Sequence, residues 1–246
     1  MSNKLKFLQI KNQADKGALY IYGDIVDDSW NVPDWFGNNP SDTFPLDIKD
    51  ALDEFDGKPI DVHINSAGGH AYAGLAIANM LKRYKGDTTC YVDGLAASAA
   101  SLIALACKKT VVSSGAMLMI HNPIGYCEGN AADMLATATS LETCGKAFAD
   151  FYAERAADGV TADSIKAMMD AETWLDGKTA AATFGGVEIT NTSQIAACAK
   201  SKLFERYKNI PTGLKVEGAK SEPKTEEINK QKNERLSAEI DIALAI

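Results

Sequence analysis

Short apolar runs alternate along most of the chain with segments whose apolar residues recur at helical spacing. The runs predict strands at residues 6–10, 18–25, 60–64, 88–92, 110–112 and 117–120. The segments of helical spacing or wholly apolar character predict helices at residues 46–55, 72–83, 97–106, 130–157, 162–169 and 177–183. Alternation of strands and helices is typical of an α/β protein, with strands that pair mainly in parallel.

The pattern changes after Ile189. Helical spacing persists at residues 196–207, and the residues that follow mix prolines and glycines with charges. Residues 225–246 again space their apolar side chains as an amphipathic helix does, and a disordered tail is the alternative. We therefore predict a main domain at residues 1–190, a partly helical linker region at 191–224 and an amphipathic or disordered tail at 225–246.

Composition and charge restrict the possible functions. An apolar content of 46% supports a real core, and the net charge is −8. Residues 200–246 hold ten Lys and Arg against eight Asp and Glu, so the acidic charge lies in the main domain and argues against nucleic-acid binding. We see no secretory signal and no membrane segment, and we therefore expect a cytoplasmic protein.

The cysteines indicate reduced thiols. There are five, an odd number, and no two of them form a CxxC pair. This spacing does not favour zinc binding or a disulfide framework, and we expect neither a metal nor a cofactor.

A serine in a run of small residues is a candidate nucleophile. Ser98 lies within GLAASAAS at residues 94–101, where Gly94 permits a sharp turn and the alanines leave space for a substrate backbone. N–H groups at a helix start stabilise negative charge on a nearby oxygen. The spacing is not the GxSxG elbow of α/β-hydrolases. The alternative role for Ser98 is that of a small residue chosen for close helix packing.

The chain has three histidines that could serve as the base for this serine. His121 ends the apolar run 117–120, at the expected mouth of a buried strand. His70 lies just after a glycine pair and could touch a substrate, whereas His63 is predicted to face outward from its strand. Spacing alone leaves His70 and His121 both open as partners of the nucleophile.

Two glycines follow the predicted strand at residues 60–64. Between a strand and a helix, Gly68 and Gly69 can expose backbone N–H groups to a carbonyl oxygen and so form half of an oxyanion hole. A phosphate cradle is the rival interpretation, but the loop lacks the Lys-Ser/Thr ending of a P-loop and the third glycine of a dinucleotide fingerprint. A plain structural turn is the other alternative.

Taken in order, these motifs resemble the ClpP family of serine peptidases. They are INSAGG at residues 64–69, GLAAS at 94–98, MIHNP at 119–123 and TWLD at 173–176, followed by Phe184-Gly185. The resemblance extends from about residue 19 to residue 189. It implies an α/β protein with the ClpP/crotonase-like fold of stacked ββα units, here with a C-terminal extension, and it makes residues 1–190 a ClpP-like serine peptidase domain.

The resemblance also implies roles for individual residues. Ser98 would be the nucleophile and His121 the general base. The N–H groups of Gly69 and Ala99 would form the oxyanion hole. The chain departs from the family at Ala67, where a proline is usual before the glycine pair.

The third catalytic residue follows from the register of the family motif. An acidic residue usually lies just before the apolar pair that is Trp174-Leu175 here, which assigns the role to Glu172. Asp170, two residues earlier, is the alternative. Glutamate is longer than the usual aspartate but can still orient the imidazole and stabilise its charged form.

Within the family, the motifs and the basic tail look most like the head maturation (prohead) proteases of tailed phages and prophages. This implies an ATP-independent endopeptidase that cleaves scaffold or capsid proteins during head maturation, in the host cell cytoplasm or the prohead. It also implies a homo-oligomeric ring, as a heptamer or stacked heptamers, and no nucleic-acid or membrane partner.

Three other functions stay open at this point. One is a housekeeping ClpP-type proteolytic subunit that works with an unfolding ATPase. Another is a crotonase-fold acyl-CoA enzyme, which would need no serine nucleophile. The last is a structural shell protein with an inactive site.

Overall fold

A computed structural model of the chain describes residues 10–12, 15–30, 42–190 and 201–211. The strands are β1 (Ile10–Asn12), β2 (Gly17–Ile21), β3 (Asp24–Ile25), β4 (Ile60–Ser66), β5 (Gly68–Gly69), β6 (Thr88–Ala97), β7 (Lys109–Ser113), β8 (Met117–Ile120), β9 (Thr173–Asp176) and β10 (Val187–Thr190). The α-helices are α1 (Pro45–Phe55), α2 (Ala71–Arg83), α3 (Ala99–Ala106), α4 (Ala131–Ala153), α5 (Ala162–Asp170) and α6 (Gly177–Thr183). Short 3₁₀ helices occupy Asp28–Trp30 and Lys202–Arg206.

Eight of these strands form one sheet, and most of their pairings are parallel. The order is β1-β2-β4-β6-β7-β10, with β8 paired to β6 and β9 paired to β8. The pairs β1–β2 and β8–β9 are antiparallel. β3 and β5 make a separate two-stranded sheet. The α/β class predicted from the alternating pattern is therefore confirmed.

Strand β6 changes partners along its length. Its first part pairs with β7 over residues 89–92, and its last part pairs with β8 over residues 95–97. The predicted strand at 88–92 was too short, and the predicted helix start at residue 97 was wrong. Tertiary pairing overrides the helix propensity of the small residues here, because both β4 and β8 bond to this part of β6. Ser98 therefore follows a strand and precedes a helix.

Helix α3 lies at the centre of the core. Every residue from Ala99 to Ala106 is buried, as its apolar sequence predicts. Helix α2 crosses it very closely at Gly74, where an added Cβ would lie 2.7 Å from the Cβ of Ala99. This contact fixes the start of α3, and with it the position of Ser98.

Helix α4 is only partly packed in the single chain. Asn130 begins it with a capping box, in which the side chain accepts N–H bonds from Ala132 and Asp133. Residues 144–152 supply its buried side chains, whereas the first half is exposed, with Leu135 at 70%. Four hydroxyls in the helix donate to the backbone carbonyl one turn earlier, those of Thr137, Thr139, Ser140 and Thr143. The predicted helix at 130–157 was too long at its C-terminal end.

The other differences are local. Strands β9 and β10, of four residues each, were not predicted. The single strand expected at residues 18–25 is divided into β2 and β3. Of the predicted strand at 6–10, only Ile10 is described, and it begins β1 (Ile10–Asn12). The predicted tail at 225–246 also lies outside them.

Residues 201–211, called the strap below, pack against the sheet although the sequence assigned them to a linker region. Ser201 donates to the Asp24 carboxylate at 2.7 Å, and Tyr207 is buried. Of the helical spacing seen at 196–207, the structure describes residues 201–207, which include the 3₁₀ helix at Lys202–Arg206.

Candidate active site

Ser98 has a backbone conformation that non-glycine residues rarely adopt. Its φ is 54° and its ψ is −124°, at the turn from β6 into α3. Its N–H donates to the carbonyl of Met119 at 2.8 Å, and its side chain makes no capping bond to the helix. The strained turn therefore leaves the Ser98 hydroxyl free to interact with other groups.

The hydroxyl of Ser98 is paired with His121. The distance between Ser98 Oγ and His121 Nε2 is 2.7 Å. His121 comes directly after β8, and β8 pairs with the end of β6 through Ala97 and Met119. Adjacent parallel strands thus bring the ends of two separate motifs into hydrogen-bond contact.

The other two histidines lie elsewhere. His70 is the N-cap of α2, where its Nδ1 accepts the N–H of Ala73 at 3.3 Å. His63 stacks between Tyr20 and Tyr91 on the outer face of the sheet. Of the two histidines that spacing left open, the structure places His121, and not His70, in contact with Ser98.

Burial lowers the pKa of His121 below its ordinary value of 6.5, and the negative charge of Glu172 partly opposes this shift. A lowered pKa keeps the imidazole neutral at neutral pH. A neutral imidazole whose Nε2 faces the serine hydroxyl can accept its proton.

The glycine pair lies beside Ser98 because β4 pairs with β6 as far as Ser66 and Ala96, two residues before Gly68 and Ser98. At Gly68, with φ +100°, an added Cβ would lie 2.6 Å from the Ala97 carbonyl oxygen and 2.8 Å from the Ser98 Cβ. At Gly69 it would lie 2.0 Å from the Ile25 carbonyl oxygen. Only glycine fits at either position. Ala99 is the first residue of α3, where a helix N–H has no partner within the helix.

The two candidate carboxylates have very different environments. Glu172 is buried, at 9% exposure, and has a positive φ of 49°. The side chain of Asp170 is 54% exposed; it accepts from Asn122 Nδ2 at 2.6 Å and pairs with Lys166. Of the two, Glu172 is the one whose charge acts on the imidazole of His121.

The carboxylate of Glu172 is bonded to the strap. The backbone N–H of Lys208 donates to both of its oxygens, at 2.8 and 3.0 Å, and that of Asn209 donates at 2.7 Å. Within the described part of the chain, no hydrogen bond joins Glu172 to His121. The structure thus brings two of the three predicted catalytic residues into contact and places the third nearby with other partners.

The strap also lines the cavity at Ser98, a role that sequence reasoning missed. Leu203, Arg206 and Tyr207 share this cavity with the serine and His121. The remaining walls are mainly apolar, formed by Leu102, Pro123, Ile124, Phe148 and Tyr152. The signal that could have revealed the strap is a set of apolar residues at 203, 204, 207 and 210 within a segment otherwise rich in charge.

Among residues 10–12, 15–30, 42–190 and 201–211, no group of three or more His, Cys, Asp or Glu side chains is placed to hold a metal ion. Over the same residues, no helix has both the length and the apolar character needed to span a membrane.

The fold and the site define an α/β protein with a histidine-paired serine at the start of a buried helix. The family model described as Clp protease matches residues 51–190, more than half of the chain. The chain belongs to the Clp protease family, whose members are serine peptidases.

Curated relatives carry the same family name. The ATP-dependent Clp protease proteolytic subunit of Bacteroides fragilis is 34% identical over 127 residues, which cover 50% of this chain and 60% of the relative. Subunit 1 of the same protease from Chlamydia abortus is 32% identical over 123 residues, covering 48% of this chain and 63% of the relative. The chain thus spans about three fifths of the length of these relatives.

Solved structures show the same architecture. ClpP1 from Listeria monocytogenes is 26% identical, with a TM-score of 0.55, and the match covers 71% of this chain and 91% of that chain. The predicted ClpP-like fold is therefore confirmed.

Proposed function

We propose that the protein is a serine endopeptidase that hydrolyses peptide bonds with Ser98 as nucleophile and His121 as general base. The observation that supports this most directly is the 2.7 Å contact between Ser98 Oγ and His121 Nε2 at a strained strand-to-helix turn. Membership of the Clp protease family supports the same reaction class. A crotonase-type acyl-CoA enzyme would not require this pair.

The proposed reaction has two steps. The oxygen of Ser98 attacks the scissile carbonyl carbon while its proton passes to Nε2 of His121. The N–H groups of Gly69 and Ala99 would stabilise the oxyanion. When the tetrahedral intermediate collapses, the carbon–nitrogen bond breaks and the amine takes the proton from the imidazole. Water then hydrolyses the acyl-enzyme with the same base.

The apolar walls of the cavity suggest the kind of side chain it accepts. Leu102, Phe148 and Tyr152 line it on the side of the core, next to Ser98. Burial of an aliphatic or aromatic substrate side chain there is favourable by about 1.5–3 kcal/mol. We propose that the enzyme prefers apolar residues next to the scissile bond.

Ring assembly is part of the proposal. The exposed half of α4, together with the exposed side chains of Ile124 and Tyr126, leaves a large apolar surface on the single chain. A homo-oligomer would cover such a surface and would also enclose the peptidase sites. The heptamer, single or stacked, is the stoichiometry that the family resemblance implies.

Two biological settings remain as proposals. The motifs and the tail favour a phage prohead protease that cleaves scaffold or capsid proteins without ATP. The names of the curated relatives favour the second setting, a proteolytic subunit that works with an unfolding ATPase. The two settings differ in whether folded proteins are degraded by the peptidase alone.

The test of the function uses the purified full chain with an unstructured protein such as casein. We expect hydrolysis without ATP, a fluorophosphonate adduct on Ser98, and a multimeric mass by light scattering. Degradation of a folded substrate only when a Clp-type ATPase and ATP are added would favour the housekeeping setting. An adduct on Ser66 or Ser101 would contradict the assignment of the nucleophile, and a monomeric mass would contradict the ring.

The roles of the two carboxylates can be compared with a matched pair of variants. Glu172→Gln removes the buried charge that acts on His121, and we expect kcat to fall by as much as roughly 10⁴-fold, as for other third members of a triad. Asp170→Asn changes an exposed group with no contact to the imidazole, so kcat should stay within about twofold. Steady-state hydrolysis of a fluorogenic peptide measures both. The reverse ranking would assign the third role to Asp170.

A further inference from the structure

The strap is attached by an apolar cluster separate from the main core. Four strap residues enter this cluster, Leu203, Phe204, Tyr207 and Ile210. They cover apolar side chains at the ends of the strands that support the active site, namely Ala67, Leu95, Ala97, Met117, Met119 and Trp174. The strap therefore packs on the same strands that present the nucleophile and the base.

Tyr207 is the strap residue whose ring contacts His121. Its ring meets that of His121 edge-on, with centroids 5.4 Å apart at 86°, and that of Trp174 at 5.9 Å and 77°. Its hydroxyl donates to the carbonyl of Ala67, next to the glycine pair. One side chain thus touches the base and the loop proposed to hold the oxyanion.

The strap also supplies most of the hydrogen bonds that Glu172 accepts. Its carboxylate accepts three bonds from the N–H groups of Lys208 and Asn209 and a longer one, at 3.4 Å, from Trp174 Nε1. Asn209 Nδ2 donates to the Ala171 carbonyl at 2.8 Å. In the described residues, Nδ1 of His121 has no hydrogen-bond partner. The carboxylate predicted to orient the imidazole is therefore held by another segment of the same chain.

We propose that the strap, residues 201–211, is an autoinhibitory latch that withholds Glu172 from His121 and covers one wall of the cavity at Ser98. This inference rests on the proposed peptidase function. Displacement of the strap frees the carboxylate to accept the Nδ1–H of His121 and opens the cavity wall formed by Leu203 and Tyr207. The latched form has an aligned Ser98–His121 pair but an incomplete triad.

The interactions that hold the strap in place are of a strength that permits its reversible displacement. Each hydrogen bond to a charged group changes an equilibrium constant by roughly tenfold to a hundredfold. Glu172 is buried, so these bonds are little screened by solvent. A substrate or partner that competes for the apolar cluster could shift the equilibrium towards the open form.

The test removes the two N–H donors and keeps the strap otherwise intact. In the full chain, Lys208→Pro combined with Asn209→Pro deletes both backbone donors to Glu172. Tyr207 already has φ −90° and ψ 138°, a region that a residue before proline adopts. The matched control combines Lys208→Ala with Asn209→Ala, which loses the same side chains but retains the N–H groups.

We expect kcat/KM of the double proline variant for a small fluorogenic peptide to exceed that of the double alanine control by at least about tenfold, because both variants lose the bond from Asn209 Nδ2 to the Ala171 carbonyl but only the proline variant loses the donors to Glu172. Adding Glu172→Gln to the double proline variant should abolish the gain. Leu203→Asp, which weakens the apolar attachment without altering Glu172, should also raise the rate.

The pH profile separates a latch from a merely structural segment. The titratable groups that face His121 or line its cavity are Glu172, Tyr207, Tyr152 and Arg206. Once Glu172 pairs with the imidazole, its charge raises the pKa of His121. The acid limb of kcat/KM should then lie at higher pH in the double proline variant than in the parent.

The outcomes are distinct. A lower or unchanged rate in a folded double proline variant, or an acid limb that does not move, overturns the latch, because the strap would then support Glu172 in the active form. If the double proline variant does not fold, the rate of Leu203→Asp becomes the test. If that rate does not rise above the rate of the parent, the latch proposal is wrong. Absence of a Ser98 adduct in every variant overturns the peptidase function together with the latch. If Ser98 forms the fluorophosphonate adduct but the rate of peptide hydrolysis does not rise, only the latch proposal is wrong.

Discussion

Replacement of Ser98 by alanine is expected to abolish peptide hydrolysis while the fold persists. Loss of the nucleophile of a serine–histidine pair lowers kcat by about 10⁶-fold in comparable enzymes. Alanine has the same restrictions on backbone conformation as serine, so the strained turn at φ 54° is neither relieved nor worsened. Hydrolysis of a fluorogenic peptide and thermal melting, measured on the same preparation, check both parts of this expectation.

Two further serines serve as controls for this variant. Ser140→Ala changes an exposed hydroxyl on α4 that donates to the Ala136 carbonyl of the same helix, and activity should be unchanged. Ser101→Ala removes a buried hydroxyl that bonds to the Ser98 carbonyl and to Tyr152, and stability should fall by about 1–3 kcal/mol. Full activity in Ser98→Ala would contradict the mechanism.

Replacement of His121 by alanine is expected to be about as damaging as loss of the serine, again on the order of 10⁶-fold in kcat. Without the imidazole, nothing accepts the proton of Ser98 as it attacks. Fluorophosphonate labelling of Ser98 should slow in parallel, because the probe also requires an activated hydroxyl. Peptide hydrolysis and labelling rates together report on this.

The other two histidines provide the comparison. His70→Asn keeps an N-cap for α2, and His63→Phe keeps a ring between Tyr20 and Tyr91, so neither should change kcat by more than about twofold. A large loss in His70→Asn with an active His121→Ala would transfer the role of base to His70.

The sequence could predict Ser98 and His121 as a catalytic pair because the order of the motifs resembles one family, and the structure places these two side chains in contact. The apolar run before His121 and the small residues around Ser98 both report local structure, and the order of motifs supplied the family. The fold class followed from the same alternation. These predictions depend on residues that are neighbours along the chain.

The strap and the environment of Glu172 could not be predicted in this way. They depend on contacts between segments 36 or more residues apart, such as Lys208 with Glu172. The sequence shows that a carboxylate lies at the position expected from the family motif. It does not show which N–H groups will bond to that carboxylate. The end of β6 was mispredicted for a related reason, because pairing with β4 and β8 decides the state of residues that alone favour a helix.

The hydroxyl-rich first half of α4 is prepared for desolvation. Thr137, Thr139, Ser140 and Thr143 each donate to a carbonyl of their own helix, so their hydroxyl protons are already satisfied. A neighbouring subunit could cover this surface without stranding a donor away from water, a penalty of about 1–3 kcal/mol for each unsatisfied group. A helix whose composition is polar can thus present an apolar surface at an interface between subunits.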